Sequence, residues 1–413
     1  MSSSCRNRFV SLLALAGCAA GTSHAQQTYF LPSFETSAEW HKNRDLSSDP
    51  AQEKENGVYY VRAEALVGRV TTTSSVEFRP WISYQEVPDR QDTEPLELGA
   101  NLRTLTQTLK GAYRFNARFL ERDAFTSELG SAGFDEFDPD NTPAGETGVI
   151  TVKSKRRDWT VYPNLSYQIS DRTRIEASLD AGQVRYDSNL AFRRVGYQSG
   201  TLEATVVYRM SRRLELVAGP YVSKYESDDN LNKTDSYGLV LGTGYAPAES
   251  AFVIAQLRAE RADVESTTAQ TGLVRKDKQN SVGVEIVGHY SWPASRIRYN
   301  VGRFLEPSTI GSRVKNDVVR VQYSRSLSTR TTVIAAVRYS RENRLEDRIG
   351  ETTNERSYAD VWASYQLTPT WYVGGGYRFI RQDITSEPRA ANDHSVFVNF
   401  GYRALDPRPR RAQ

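Results

Sequence analysis

The chain has 413 residues, 38% of them hydrophobic, with 53 Lys and Arg against 50 Asp and Glu. That near balance leaves no field strong enough to make nucleic acid a partner, and no stretch beyond Ala20 approaches the roughly 18 apolar residues that a membrane helix needs. The 2 cysteines, Cys5 and Cys18, both fall before Ala20, so the rest of the chain has neither disulfides nor thiolate metal sites.

Arg6 and Arg8 precede an apolar run from Phe9 to Ala20, and Ser23-His24-Ala25 offers a small-x-small cleavage site, which predicts a signal peptide over residues 1–25. Leu15-Ala16-Gly17-Cys18 fits a second pattern, in which Cys18 is acylated after cleavage. Cleavage after Ala25 is the preferred reading, because a closed barrel is held by its own apolar belt and gains little from a lipid chain.

From residue 27 onward about eighteen short stretches alternate apolar and polar residues with period 2, the rhythm of strands with one greasy and one wet face. Ser75 to Val87 sets the pattern: Val76, Phe78, Pro80, Ile82 and Tyr84 share one face, while Ser75, Glu77, Arg79, Trp81, Ser83 and Gln85 share the other. The parity returns in Leu109, Gly111, Tyr113, Phe115, Ala117 and Phe119, and in Val282, Val284, Ile286, Tyr290 and Trp292. It closes with Val396, Val398, Phe400 and Tyr402 in a last strand from Asp393 to Arg403, whose ending resembles the signal read by the outer-membrane insertion machinery.

Every second connection is short: Thr71 to Ser74, Ser170 to Thr173, Ser211 to Arg213, Ala246 to Ser250, Pro293 to Ser295, Ser328 to Thr331 and Thr368 to Thr370. The connections between them are long and polar: Asn43 to Asn56, Glu121 to Ser154, Ser227 to Lys233, Asp263 to Asn280 and Glu342 to Glu355. Tyr167, Tyr208, Tyr245, Trp292, Tyr323, Tyr365 and Trp371 lie on apolar parity beside the short turns, where a membrane–water girdle stacks its rings. The fold class this predicts is all-β: a single transmembrane antiparallel barrel over residues 26–403, with short periplasmic turns, long external loops and a basic tail over 404–413. The junction at Thr106 to Thr108 lacks Gly, Pro, Asn and Asp, and without a turn there the strand count falls to sixteen or seventeen.

Polar parity places Arg62, Arg79, Arg103, Arg114, Arg118, Arg320, Arg338 and Arg378 inside, with Glu64, Glu77 and Glu285 and the aromatic Trp81 and Tyr162. Taken singly these are partners in a cross-strand ion-pair lattice. Together, so many charges in a lumen require water, and signs so evenly matched predict weak selectivity for small ions. The longest connection follows the fifth predicted strand and carries Asp135, Glu136, Asp138 and Asp140. In porins the loop at this position folds into the pore and sets acids opposite a basic wall, so these four are candidates for a constriction; a solvated external loop is the alternative. His24, His41, His289 and His394 are dispersed, which predicts neither a metal site nor a catalytic centre, and no cofactor.

Tyr186-Asp187-Ser188-Asn189 and Tyr225-Glu226-Ser227-Asp228-Asp229-Asn230 stand where strands enter external loops, with Asn43-Arg44-Asp45 at the corresponding place after the first strand. The layout resembles the β-barrel porin 2 type family of outer-membrane barrels. The resemblance implies eighteen strands, a polysaccharide passage and periplasmic export proteins as partners, beside lipid, lipopolysaccharide and the insertion machinery; it brings no catalytic residues. Three functions follow as expectations: an export channel using Tyr60, Trp81, Tyr162 and Trp362 as sugar-stacking surfaces, a passive porin for small hydrophilic solutes, or a closed barrel serving as adhesin or anchor.

Overall fold

The computed structural model describes residues 27–88, 95–123, 155–187, 195–267, 272–307, 313–344, 353–385 and 389–405. The expected signal peptide, the acidic residues Asp135, Glu136, Asp138 and Asp140, and the tail beyond Leu405 lie outside them. The strands are β1 (Gln27–His41), β2 (Asn56–Val70), β3 (Ser74–Glu86), β4 (Leu96–Thr108), β5 (Gly111–Asp123), β6 (Lys155–Gln168), β7 (Thr173–Tyr186), β8 (Tyr197–Arg209) and β9 (Leu214–Ser227). There follow β10 (Asn232–Ala248), β11 (Ala251–Thr267), β12 (Val274–Trp292), β13 (Ser295–Pro307), β14 (Arg313–Ser326), β15 (Thr331–Arg344), β16 (Asn354–Gln366), β17 (Trp371–Ile384) and β18 (Ala391–Arg403). Each pairs antiparallel with its sequence neighbours, and β18 returns to β1 with Arg403 opposite Ser33 and Ser395 opposite His41. The result is a closed eighteen-strand barrel.

Register keeps the two faces apart all the way round. One outward row passes through Ala38, Tyr59, Val398 and Gly375 on neighbouring strands, and another through Leu257, Val284 and Leu241. These rows expose large apolar side chains such as Val398, Leu239, Leu241 and Val284 over a continuous band. The girdle aromatics are exposed on that outer face beside the short turns: Trp292 faces Ser295 across a two-residue turn, and Trp371 stacks on Phe400 with ring centroids 5.1 Å apart.

The short turns share a device that the sequence spells out. In five of them a hydroxyl at the first position accepts the main-chain N–H groups two and three residues on, from Thr71, Ser170, Ser211, Ser328 and Thr368. The doubtful junction does turn, one step later than expected. Leu109 and Lys110 form a two-residue turn between β4 and β5, so Leu109 is fully exposed there instead of opening a strand.

Strands also run further into polar sequence than expected. The Asp263 to Asn280 segment, read as a loop, belongs largely to β11 and β12, which pair as far as Thr267 with Val274. Outside hydrocarbon a ladder needs only its backbone hydrogen bonds, so apolar alternation marks where the membrane ends and not where the strand ends.

Candidate functional site: the lumen wall

Alternation turns Arg62, Glu64, Glu77, Arg79, Trp81, Arg103, Arg114, Arg118, Tyr162, Glu285, Arg320, Arg338 and Arg378 to the inner face, opposite in parity to the exposed apolar band. They do not form one cluster; they fall into three sectors of the wall.

The first sector, β2 to β5, is basic. Arg62 bonds Glu64 at 2.8 Å, and Arg79 reaches the other oxygen of that carboxylate at 3.4 Å. The Trp81 ring lies against Gly99 of β4, where a Cβ would come within 2.6 Å of the indole, and the Arg62 guanidinium covers its other side at 4.5 Å. Arg103, Arg114 and Arg118 continue the basic wall upward and round.

The second sector is acidic. A cavity of about 520 Å³ runs along β6 to β14, where Glu176, Asp180, Glu203, Glu260, Glu285 and Glu306 outnumber Arg258, Arg303, Arg313 and Lys315, with Tyr162 among them. Arg258 reaches Glu203 at 3.0 Å, while Glu260 accepts from Tyr221 at 2.8 Å and Ser281 at 3.2 Å. Half-way round the ring of eighteen, β12 stands across from β3 and β13 from β4. Glu285 and Glu306 therefore lie on strands half-way round the ring from those that carry Arg79 and Arg103. The near balance of charge conceals a separation by strand, with Arg62, Arg79, Arg103, Arg114 and Arg118 all on β2 to β5.

The third sector, β14 to β18, is packed. Arg320 and Arg338 stand directly opposite each other on β14 and β15, and Arg378 bridges Asp360 at 3.0 Å and Glu39 at 3.1 Å. Over this wall folds the segment between β1 and β2. Lys42 and Asn43 donate main-chain N–H groups to the His394 carbonyl at 3.0 Å and to Asp393 Oδ1 at 2.9 Å. The Asn43 amide closes on Ser47 in both directions, and Leu46, at φ 48°, inserts among Ala336, Tyr358, Ile380 and Ala391 with Trp362 packed alongside. Among the described residues this first loop is the one seen folded inward. Leu46 is the only large apolar residue between His41 and Val58, which was the available signal.

Two expected sugar-stacking surfaces are thereby taken: Trp362 belongs to the Leu46 cluster and Trp81 is covered by Arg62. Tyr162 lines the open cavity. The histidines are also better placed than the sequence indicated. His41 is buried between Asp393 at 2.7 Å and Glu39 at 3.6 Å, with the Ser395 hydroxyl donated to Glu39. His289 packs edge-on to Phe252, and His394 stands on the outer face beside Tyr377.

At the strand ends, Ser227 donates to Asp229 at 2.6 Å and accepts the Asn232 N–H at 3.0 Å, while Asn230 takes φ 56°. The Tyr/Asp/Asn motif is thus an Asx-type turn, with the Leu231 N–H donated to Asp229 Oδ1, and its Tyr225 ring stands 5.6 Å from that of Tyr197, centroid to centroid.

A closed all-β wall with an apolar outer belt and a charged, partly filled interior defines the class of transmembrane β-barrels, since a sheet without edges satisfies its backbone inside a membrane. No family model and no curated protein matches the sequence. Solved structures similar in fold include the ferric-catecholate import receptor Fiu of E. coli K12, at 11% identity and TM-score 0.46 over 89% of this chain and 81% of that one. OpdO of Pseudomonas aeruginosa is similar at 9% identity and TM-score 0.45, over 92% of this chain and 98% of that one. OccAB2 of Acinetobacter baumannii is similar at 9% identity and TM-score 0.43, over 91% and 98%.

Proposed function

We propose that the chain is an outer-membrane channel for small polar solutes, with charge on opposite walls of the bore as its selectivity device. The observation that carries this is the placement of Glu285 and Glu306 across the ring from Arg79 and Arg103. Opposed charges set a field across the passage, which orients zwitterionic or dipolar solutes and disfavours apolar ones. The inward first loop narrows one side. Arg62 over Trp81 and Leu46 beside Trp362 take two of the four aromatic surfaces and leave Tyr60 and Tyr162 for a polymer to slide along, so small solutes are favoured over an exported polysaccharide.

Polysaccharide passage is the second reading. It draws on Tyr162, which lines the acidic cavity with Asn164 two residues further along the same strand, a stacking face next to a hydrogen-bonding amide. Periplasmic export proteins would then be the partners.

Planar-bilayer recording tests the proposal. Purified barrel should give ohmic current steps, and Arg79→Glu/Arg103→Glu should raise the cation-to-anion permeability ratio severalfold. A folded barrel that passes no current would refute the channel reading. Swelling of liposomes in a malto-oligosaccharide series separates the two solute classes, because a polymer passage admits the longer members and a narrow channel excludes them.

A further inference from the structure

The ladder between β12 and β13 stops part-way. Its pairs run from Trp292–Ser295 at the short-turn end to Val284–Arg303 and end there. Beyond that point β12 continues to Val274 along β11 alone, and β13 continues to Pro307 along β14 alone. The cavity reaches this break: its lining takes Ser281 and Phe304 from the inner parity and Val282 and Leu305 from the outer parity of the same two strands. An unbroken ladder would hide one set from the other.

The height of the break follows from the outer face. Just below it lie Val284, Ile286 and Val301 of the apolar band. At its level the surface turns charged, with Arg303 bound to Asp317 at 2.6 Å and Arg341 to Glu355 at 3.4 Å. That row marks the change from hydrocarbon to headgroups on the long-loop side. Behind the break Arg313 crosses from β14 to β10: its guanidinium donates to Ser236 Oγ at 2.9 Å and to the Leu305 carbonyl at 3.0 Å, and lies 3.7 Å from Glu260. Inside, Glu285 and Glu306 accept from Asn300 and Asn316, and among the described residues neither has a cation at ion-pair distance.

We propose that the β12–β13 break is a side portal at which a cationic amphiphile docks from the outer leaflet, its head among Glu260, Glu285 and Glu306 and its chain between Val282 and Leu305. Arg258 and Arg313 line the same cavity but are held by Glu203 and by Ser236 with the Leu305 carbonyl, so Glu285 and Glu306 supply the attraction for the head, and the apolar rim lets the chain stay continuous with lipid. This rests on the membrane placement proposed above but not on conduction.

The test compares dodecyltrimethylammonium with tetramethylammonium by titration calorimetry on barrel-containing vesicles, with empty vesicles subtracted. The longer chain should bind the native barrel at least about tenfold more tightly, a gain that two methylene groups buried at the rim already supply. A short bis-maleimide linked across Val282→Cys and Leu305→Cys staples the portal, since no residue after Cys18 is another thiol. Leu305→Trp plugs it without a bond. Either closure should erase the chain-length advantage and leave tetramethylammonium binding unchanged. An advantage absent from the native barrel, or surviving both closures, overturns the portal. Current steps recorded on the same preparations show separately whether the channel reading stands.

Discussion

Leu46 is the side chain that decides whether the first loop stays inside the bore. It is 8% exposed and makes its contacts with Ala336, Tyr358, Ile380, Ala391 and Trp362, all on strands that close the barrel without it. Leu46→Ala should therefore cost the loop and not the wall. A buried Leu→Ala change costs about 2 to 5 kcal/mol, and the lower end applies here because a loop can relax into the space left behind. The Asn43 and Lys42 bonds persist, so roughly 2 kcal/mol is drawn from the local opening equilibrium, about a thirtyfold rise in the open population. Hydrogen exchange read by mass spectrometry should show residues 42–56 exchanging about thirtyfold faster, with β10 unchanged as internal control. Single-channel records should show longer visits to a larger conductance. Unchanged exchange in the loop, or equal acceleration in β10, would refute the picture of a loop held independently of the wall.

Parity gives a paired test: Ile286→Arg, on the outer band, should cost about 2 to 4 kcal/mol in a refolding titration, whereas Glu285→Arg, facing the bore, should fold normally. Equal costs would contradict the register. Deleting Ser131 to Gly148 should raise conductance and antibiotic uptake if that acidic segment constricts the pore, and no change in either would leave it external. Truncation after Arg403 removes only the Ala404 N–H bond to the Pro32 carbonyl among described contacts, so heat-modifiable mobility on gels should be retained. Loss of the folded band would give the tail a structural part.

Barrel and strand number were legible because both rest on local alternation repeated along the chain. A period-2 pattern fixes which residues share a face before any long-range contact is known. The turn at Leu109-Lys110 is hard to place because neither residue, nor any of Thr106 to Thr108 before it, is Gly, Pro, Asn or Asp. What alternation cannot carry is position round the ring. Arg79 and Glu285 are separated by about two hundred residues of sequence and come to stand half-way round the ring from each other only once eighteen strands close, so the clustering of Arg on the second to fifth strands was legible and the place of its acidic counterpart was not. The inward loop was hidden for a related reason: one Leu among polar residues has no period, and its pocket is assembled from four distant strands. The break between β12 and β13 likewise depends on where two neighbours of unequal length stop pairing.

The seam between β1 and β18 carries its own clasp: His41 to Asp393, Ser395 to Glu39, and Arg378 bridging to Glu39. Since these contacts join the first strand to the last two, the barrel cannot be completed until the whole chain has been delivered. Until then β1 waits with an open edge over the time needed to export more than three hundred residues, a state that invites mispairing and needs a chaperone. A polar clasp suits that delay. It gives an unsatisfied edge little to gain from an arbitrary partner, and it rewards the one register in which acid meets base, so the slowest contact to form is also the one that proofreads closure.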